Sequence, residues 1–146
     1  MIVLDTGILV AAAIRNDIDH IRCSELILLL RATGHQLLIP PTVVAEVGYM
    51  LATRGNAEKE AEFLDSISEG VFKLTPLDKY HTKRMAQLVR QYSDLKGKGL
   101  GTTDASIVAV AERLGVIDIA TLDQHFRAIT PTHAAHFRIL PDDMPR

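Results

Sequence analysis

Four acids in this 146-residue chain stand where chemistry could use them: Asp5, Glu46, Asp104 and Asp123. Asp5 ends the apolar run Met1-Ile2-Val3-Leu4, and Asp123 stands just beyond a second run, Val116 to Ala120. Glu46 and Asp104 fall in the first turns of two segments with helical patterning. In a fold of repeated strand-helix units, strand ends and helix starts share one edge of the sheet, so four carboxylates meet there without a visible basic partner. Two carboxylates about 4 Å apart repel by roughly 4 kcal/mol at an effective dielectric of about 20, so four together require a proton or a cation. Oxygen-only ligands favour a hard ion, Mg2+, with Mn2+ able to substitute. No His or Cys falls at those strand ends with zinc spacing. A hydrated ion of this kind lowers the pKa of a bound water, orients it for in-line attack and neutralises charge on a phosphodiester. Phosphodiester hydrolysis is therefore the reaction class these residues point to.

The stretch that organises the chain runs from Leu100 to Phe126. The pattern predicts a helix over Asp104–Leu114, with a capping hydroxyl from Thr102 or Thr103 and a left-handed stop at Gly115. Apolar residues cover nearly its whole circumference, leaving Ser106, Glu112 and Arg113 to seek water. Val116–Ala120 then reads as a strand buried on both faces of a parallel sheet.

The other elements follow the same logic. Met1–Asp5 is a buried strand, and Thr6-Gly7 turns the chain into an apolar helix over Ile8–Ile14. That helix has no polar face, so it is either covered by other helices or part of a partner surface, and burial is the simpler reading. Asn16 and Asp17 are candidate caps for a longer helix reaching Gly34, with Leu28 and Leu29 left over as interface candidates. Gln36–Ile39 is a second strand; Pro40-Pro41 then leads into a helix from Thr42 to about Thr53 that carries Glu46. Asn56 caps a helix to Gly70, Val71–Leu74 is a third strand, and Leu77–Tyr92 a further helix. A cationic loop, Lys96-Gly97-Lys98-Gly99, leads towards Asp104, and Phe137–Leu140 is a candidate edge strand. The alternation predicts an α/β protein, a three-layer α/β/α sandwich on a largely parallel sheet of about five strands.

At this length one domain over residues 1–146 is expected, burying roughly two thirds of its unfolded surface. No apolar stretch approaches the ~20 residues that span a bilayer, and no basic region precedes the first apolar run, so a cytoplasmic protein without membrane contact is expected. The lone Cys23 forms no intrachain disulfide and reads as a small buried hydrophobe. A formal net charge of -2 argues neither for nor against nucleic acid, because a basic patch can coexist with an acidic metal pocket.

The chain resembles the PIN-domain nucleases, and especially the VapC-type toxins of bacterial toxin-antitoxin pairs, over nearly its whole length. The resemblance rests on Val3-Leu4-Asp5-Thr6, on Pro41-Thr42-Val43-Val44-Ala45-Glu46, and on Leu100-Gly101 through Asp104-Ala105-Ser106-Ile107 with Thr121-Leu122-Asp123. It implies that Asp5, Glu46, Asp104 and Asp123 hold metal directly or through water and that the Thr6 hydroxyl supports the site. It also implies Mg2+-dependent endoribonuclease activity on RNA and a cognate antitoxin that covers the acidic pocket, with the apolar early helices as docking surface. A homodimer is expected. Some relatives carry another acid two residues after the last aspartate; here that place is His125.

Blander roles stand beside these. Asp5 or Asp104 alone would be a helix cap or dipole partner, Thr102 and Thr103 need do no more than cap, and Lys96 and Lys98 could be a solvated connector rather than a grip on RNA phosphates. Arg15, Arg84 and Arg90 have the same standing, while His133 and His136 read as surface residues. Two other functions compete: a non-catalytic binding module using the apolar helices, and a phosphoacceptor built on Asp5, disfavoured because Gly7 stands where a second acid is needed.

Overall fold

Five short segments pair into one sheet: β1 (Ile2–Leu4), β2 (Leu37–Ile39), β3 (Lys73–Leu74), β4 (Asp118–Ala120) and β5 (Arg138–Leu140). They are seen in a computed structural model that describes residues 1–145, apart from the side chain of Lys96. Every pairing is parallel and the order is β3-β2-β1-β4-β5. Between the strands run α1 (Thr6–Ala13), α2 (His20–Ala32), α3 (Pro41–Arg54), α4 (Ala57–Ser68), α5 (Lys79–Gln91) and α6 (Thr102–Leu114). Right-handed crossovers, the rule for parallel strands, carry α1–α4 over one face and α5–α6 over the other. The packed pairs α1–α2, α1–α3, α3–α4 and α5–α6 agree with this α/β/α layering.

The chain steps outward from β1 to β3 on one side, then returns to lay β4 on the other side of β1. The β1–β4 pair is thus the point where strand order reverses, and the crevice beyond its carboxyl ends is where such sheets place ligands. The register Leu4↔Ala120 and the bond from the Asp5 N–H to the Ala120 carbonyl, 2.9 Å, align residues 5 and 121 just past the strand ends.

Both faces of the strands are buried, with Val3, Leu4, Leu38, Ile39 and Ile119 essentially inaccessible. Helix α1 is covered as well, through Ile8, Leu9, Val10 and Ala11, which is how a helix without a polar face stays in water. Cys23 is buried and free. Leu28 and Leu29 remain exposed. None of the described helices is long and apolar enough to cross a membrane.

Several boundaries differ from the sequence pattern, for local reasons. Strand β4 loses Val116 and Ile117 because Gly115, at φ 67°, ends α6 in a left-handed turn that draws the Val116 N–H onto the Ala111 carbonyl, 2.8 Å. Strand β3 shrinks to two residues, since Phe72 packs against Phe63 instead, ring centroids 6.1 Å apart. Helix α2 begins at His20, not at Asn16 or Asp17: the Asp17 carboxylate accepts from the Asp19 N–H and from Arg54, both at 2.9 Å, and so organises the turn ahead of the helix. Helix α5 begins at Lys79, where Asp78 and His81 form a capping box.

Helix α6 is not capped by Thr102 or Thr103; Gly101 holds the cap position, with no side-chain bond. Ser106 does not face water. It is fully buried, donating to the Thr103 carbonyl at 2.6 Å and meeting the Thr42 hydroxyl at 2.5 Å. That second bond ties the first turn of α3 to the second turn of α6. Arg84 is not free for phosphate: its guanidinium grips Glu112 through two bonds, 2.7 and 2.9 Å.

Candidate active site

The carboxyl end of β1 runs straight into α1, so Asp5 takes extended backbone and becomes the helix cap. Its Oδ1 accepts the Thr6 N–H at 2.7 Å and its Oδ2 accepts the Thr121 hydroxyl at 2.6 Å. Burial holds the Asp5 carboxyl above the usual carboxylate range despite these two bonds, with Asp123 and Glu46 adding repulsion. The capping role and the site role therefore coexist in one side chain.

Thr121, part of the motif Thr121-Leu122-Asp123 but with no role expected of it, joins the two strand-end acids. Besides donating to Asp5, its oxygen accepts the Asp123 N–H at 2.9 Å. The available signal was local: a threonine two residues before an aspartate at a strand end favours such a turn. Thr121→Val keeps the shape and removes both bonds. It is expected to destabilise the protein by about 1 kcal/mol. The loss should be larger at pH 8 than at pH 5, because the hydroxyl favours the charged form of Asp5; urea unfolding at the two pH values checks it.

Asp104 occupies the third position of α6, whose following residues 105–111 are all buried. A helix N-terminus alone would favour its charged form by about 0.3–1 kcal/mol. Instead the Asp104 carboxyl is pushed up to about 7, first by burial, then by Asp5, Asp123 and Glu46, with His125 opposing. Environment thus outweighs the dipole. Glu46 is the sixth residue of α3, one turn in, and it is exposed. Asp123 caps the 3-10 turn Gln124–Ala128, accepting the His125 N–H at 2.8 Å, while His125 Nδ1 lies 2.6 Å from its carboxylate.

The charges of Asp123 and Glu46 thus reach Asp5, and those of Asp5, Asp123 and Glu46 reach Asp104, while among the described residues none of the four is paired with lysine or arginine. Lys98 is exposed, and the side chain of Lys96 lies outside the described residues. The donor set is oxygen-rich and short of positive charge, which suits a hard divalent ion. Beside Asp5, Thr6 Oγ1 is buried without a hydrogen-bond partner among the described residues. Among the described residues, however, no three His, Cys, Asp or Glu side chains already cluster closely enough to hold an ion. Uncompensated carboxylates stand apart, and Mg2+ characteristically binds one or two of them and keeps its waters. The donor set is of the chemical kind such an ion takes.

A family model for the PIN domain matches residues 2–130. Ribonuclease VapC26 of Mycobacterium tuberculosis is 31% identical over 140 residues, spanning 95% of this chain and 99% of the relative. Among solved structures, VapC20 of the same species, a Sarcin-Ricin loop cleaving toxin, superposes with a TM-score of 0.73 at 16% identity, covering 92% of this chain and 99% of that one. VapBC2 from Rickettsia felis, bound to a DNA fragment from its promoter, gives 0.63 at 23% identity, covering 88% and 93%. At such identities the two structures speak to fold alone.

Proposed function

The chain belongs to the PIN-domain family, among its VapC-type members, and from that premise we propose that it is a Mg2+-dependent endoribonuclease, the toxin of a toxin-antitoxin pair. What chiefly supports the reading is position: Asp5 and Asp123 follow β1 and β4, Glu46 and Asp104 lie near the starts of α3 and α6, and among the described residues none of them has a lysine or arginine partner. In this proposal Asp5, Glu46, Asp104 and Asp123 hold the ion directly or through water, and Mn2+ substitutes for it. When bound, the ion supplies a water of lowered pKa and neutralises charge on the phosphodiester.

The chain's own residues do the positioning. Thr6 N–H and the Thr121 hydroxyl lock the Asp5 carboxylate in one orientation, and the Thr42–Ser106 bond holds Glu46 and Asp104 on helices that cannot slide apart. Thr6 Oγ1, buried one residue after Asp5 and without a hydrogen-bond partner among the described residues, supports the site in this reading.

The nuclease unit spans residues 1–146, acts in the cytoplasm and assembles as a homodimer in this reading. Its antitoxin docks in a groove of about 490 Å³ among α1, α2 and α4, where Leu28 and the half-buried Ile27 offer apolar surface beside Arg15 and Arg31. A non-catalytic binding module with the same fold is the competing reading, favoured by the absence of a ready-made ion cluster among the described residues. The deciding experiment is incubation of total cellular RNA with the protein and Mg2+ or Mn2+, the parent against Asp104→Asn, with cleavage ends mapped. Intact RNA with both proteins, and no Mn2+ binding by the parent, would leave the module standing.

A further inference from the structure

Helix α2 shows water a second apolar face, away from the groove given to the antitoxin. Ile18, in the turn ahead of the helix, is 97% exposed, and Ile21 and Leu29 are 70% and 47% exposed. With Arg22, Glu25 and Leu26 they line a groove of about 450 Å³ that Pro141 and Met144 complete. These positions run i, i+3, i+4, i+7, i+8 and i+11, the spacing of a single helix face. None of them lines the antitoxin groove, to which α2 gives His20, Ser24, Ile27, Leu28 and Arg31. Large aliphatic side chains gathered in water on one face mark an interaction site, unlike apolar residues scattered singly.

The order of these residues is its own complement. Turned about a two-fold axis between residues 23 and 24, the face meets itself: Ile18 opposes Leu29, Ile21 opposes Leu26 and Arg22 opposes Glu25, each pair made twice. Apolar falls on apolar and base on acid throughout. Glu25 is exposed and has no ion-pair partner among the described residues. Arg22 pairs with Asp142 through one nitrogen, which leaves other guanidinium donors free. A partner of unrelated sequence requires no such internal symmetry. We infer that this face of α2 binds a second copy of the chain, the two α2 helices lying antiparallel across the axis. The inference rests on the homodimer of the reading above and assigns its interface. Helix α2 then meets its own copy on one face and the antitoxin on the other, through separate residues.

The test is sedimentation velocity on the full-length protein and on Arg22→Glu and Glu25→Arg, alone and mixed, with circular dichroism as the fold control. The parent is expected to be a dimer. Arg22→Glu leaves only acids at the two charged positions of the face and Glu25→Arg only bases. Each alone sets like charges opposite one another and is expected to raise the dimer dissociation constant about 100-fold. Mixed in equal amounts, they are expected to form a dimer containing one of each, since every charged pair is then acid against base. Ile18→Ser serves if Arg22→Glu, which also loses Asp142, fails to fold. A side chain 97% exposed has no packing to lose in the monomer, so its truncation is expected to weaken the dimer about tenfold without disturbing the fold. A parent dimer that no variant weakens, or folded single variants that dissociate and form no mixed dimer, would overturn this interface and leave the homodimer standing. A parent that is monomeric at the highest concentration tested removes the homodimer itself, so the two failures are distinguishable.

Discussion

Asp104→Asn is expected to lower Mg2+-supported RNA cleavage by about 100-fold, the consequence of removing about 3 kcal/mol of transition-state stabilisation. The substitution keeps size and hydrogen-bonding capacity and deletes one charge from a field built by Asp5, Asp123 and Glu46. Asparagine at the third position of α6 leaves the buried run 105–111 untouched, so the helix remains in place. Single-turnover cleavage of a defined RNA, with circular dichroism as the fold control, is the measurement. Cleavage within a few-fold of the parent would remove Asp104 from the site. A loss of activity matched by a loss of folded protein would assign it a structural role instead.

The second expectation concerns the protein freed of metal by a chelator. The Asp104 carboxyl rises from an ordinary 3.8 to about 7 on folding, so between those values the folded protein binds more protons than the unfolded chain. Stability therefore falls as pH rises. The stabilising effect of protonation is fully present below about pH 4 and is lost through about pH 7, and Asp5, also raised, acts with the same sign. Full conversion of the Asp104 shift would exceed 4 kcal/mol; with solvent screening of a partly exposed group, about 2 kcal/mol between pH 5 and pH 8 is expected. For a domain of this length that corresponds to about 4–8 °C in Tm. Asp104→Asn should flatten this dependence and melt higher than the parent at pH 8, while added Mg2+ should raise the parent and leave the variant nearly unmoved. A parent whose metal-free Tm is flat or rises from pH 5 to pH 8 would show that the acids do not crowd one another.

The two results support each other. A variant that is more stable and much less active cannot owe its inactivity to unfolding, and such a pairing is the mark of a site that sacrifices stability for charge concentration.

The sequence by itself determined the elements and the chemistry they carry. Apolar runs of strand length, helical periodicity and the punctuation by Pro41, Asn56 and Gly115 are local signals, set by backbone sterics and burial within a few residues. Strand ends and helix starts followed from them, so Asp5, Asp104 and Asp123 could be assigned to one edge before any coordinates. Tertiary structure alone decided the strand order, which makes β1 and β4 neighbours and sets Thr121 between Asp5 and Asp123. It alone buried Ser106 against Thr42, withdrew Arg84 to Glu112 and turned Asp123 towards His125. Thr42 and Ser106, or Arg84 and Glu112, are far apart in the chain, and no local pattern encodes which polar groups will meet. Their pairing is fixed only when packing removes water and every buried donor must find an acceptor.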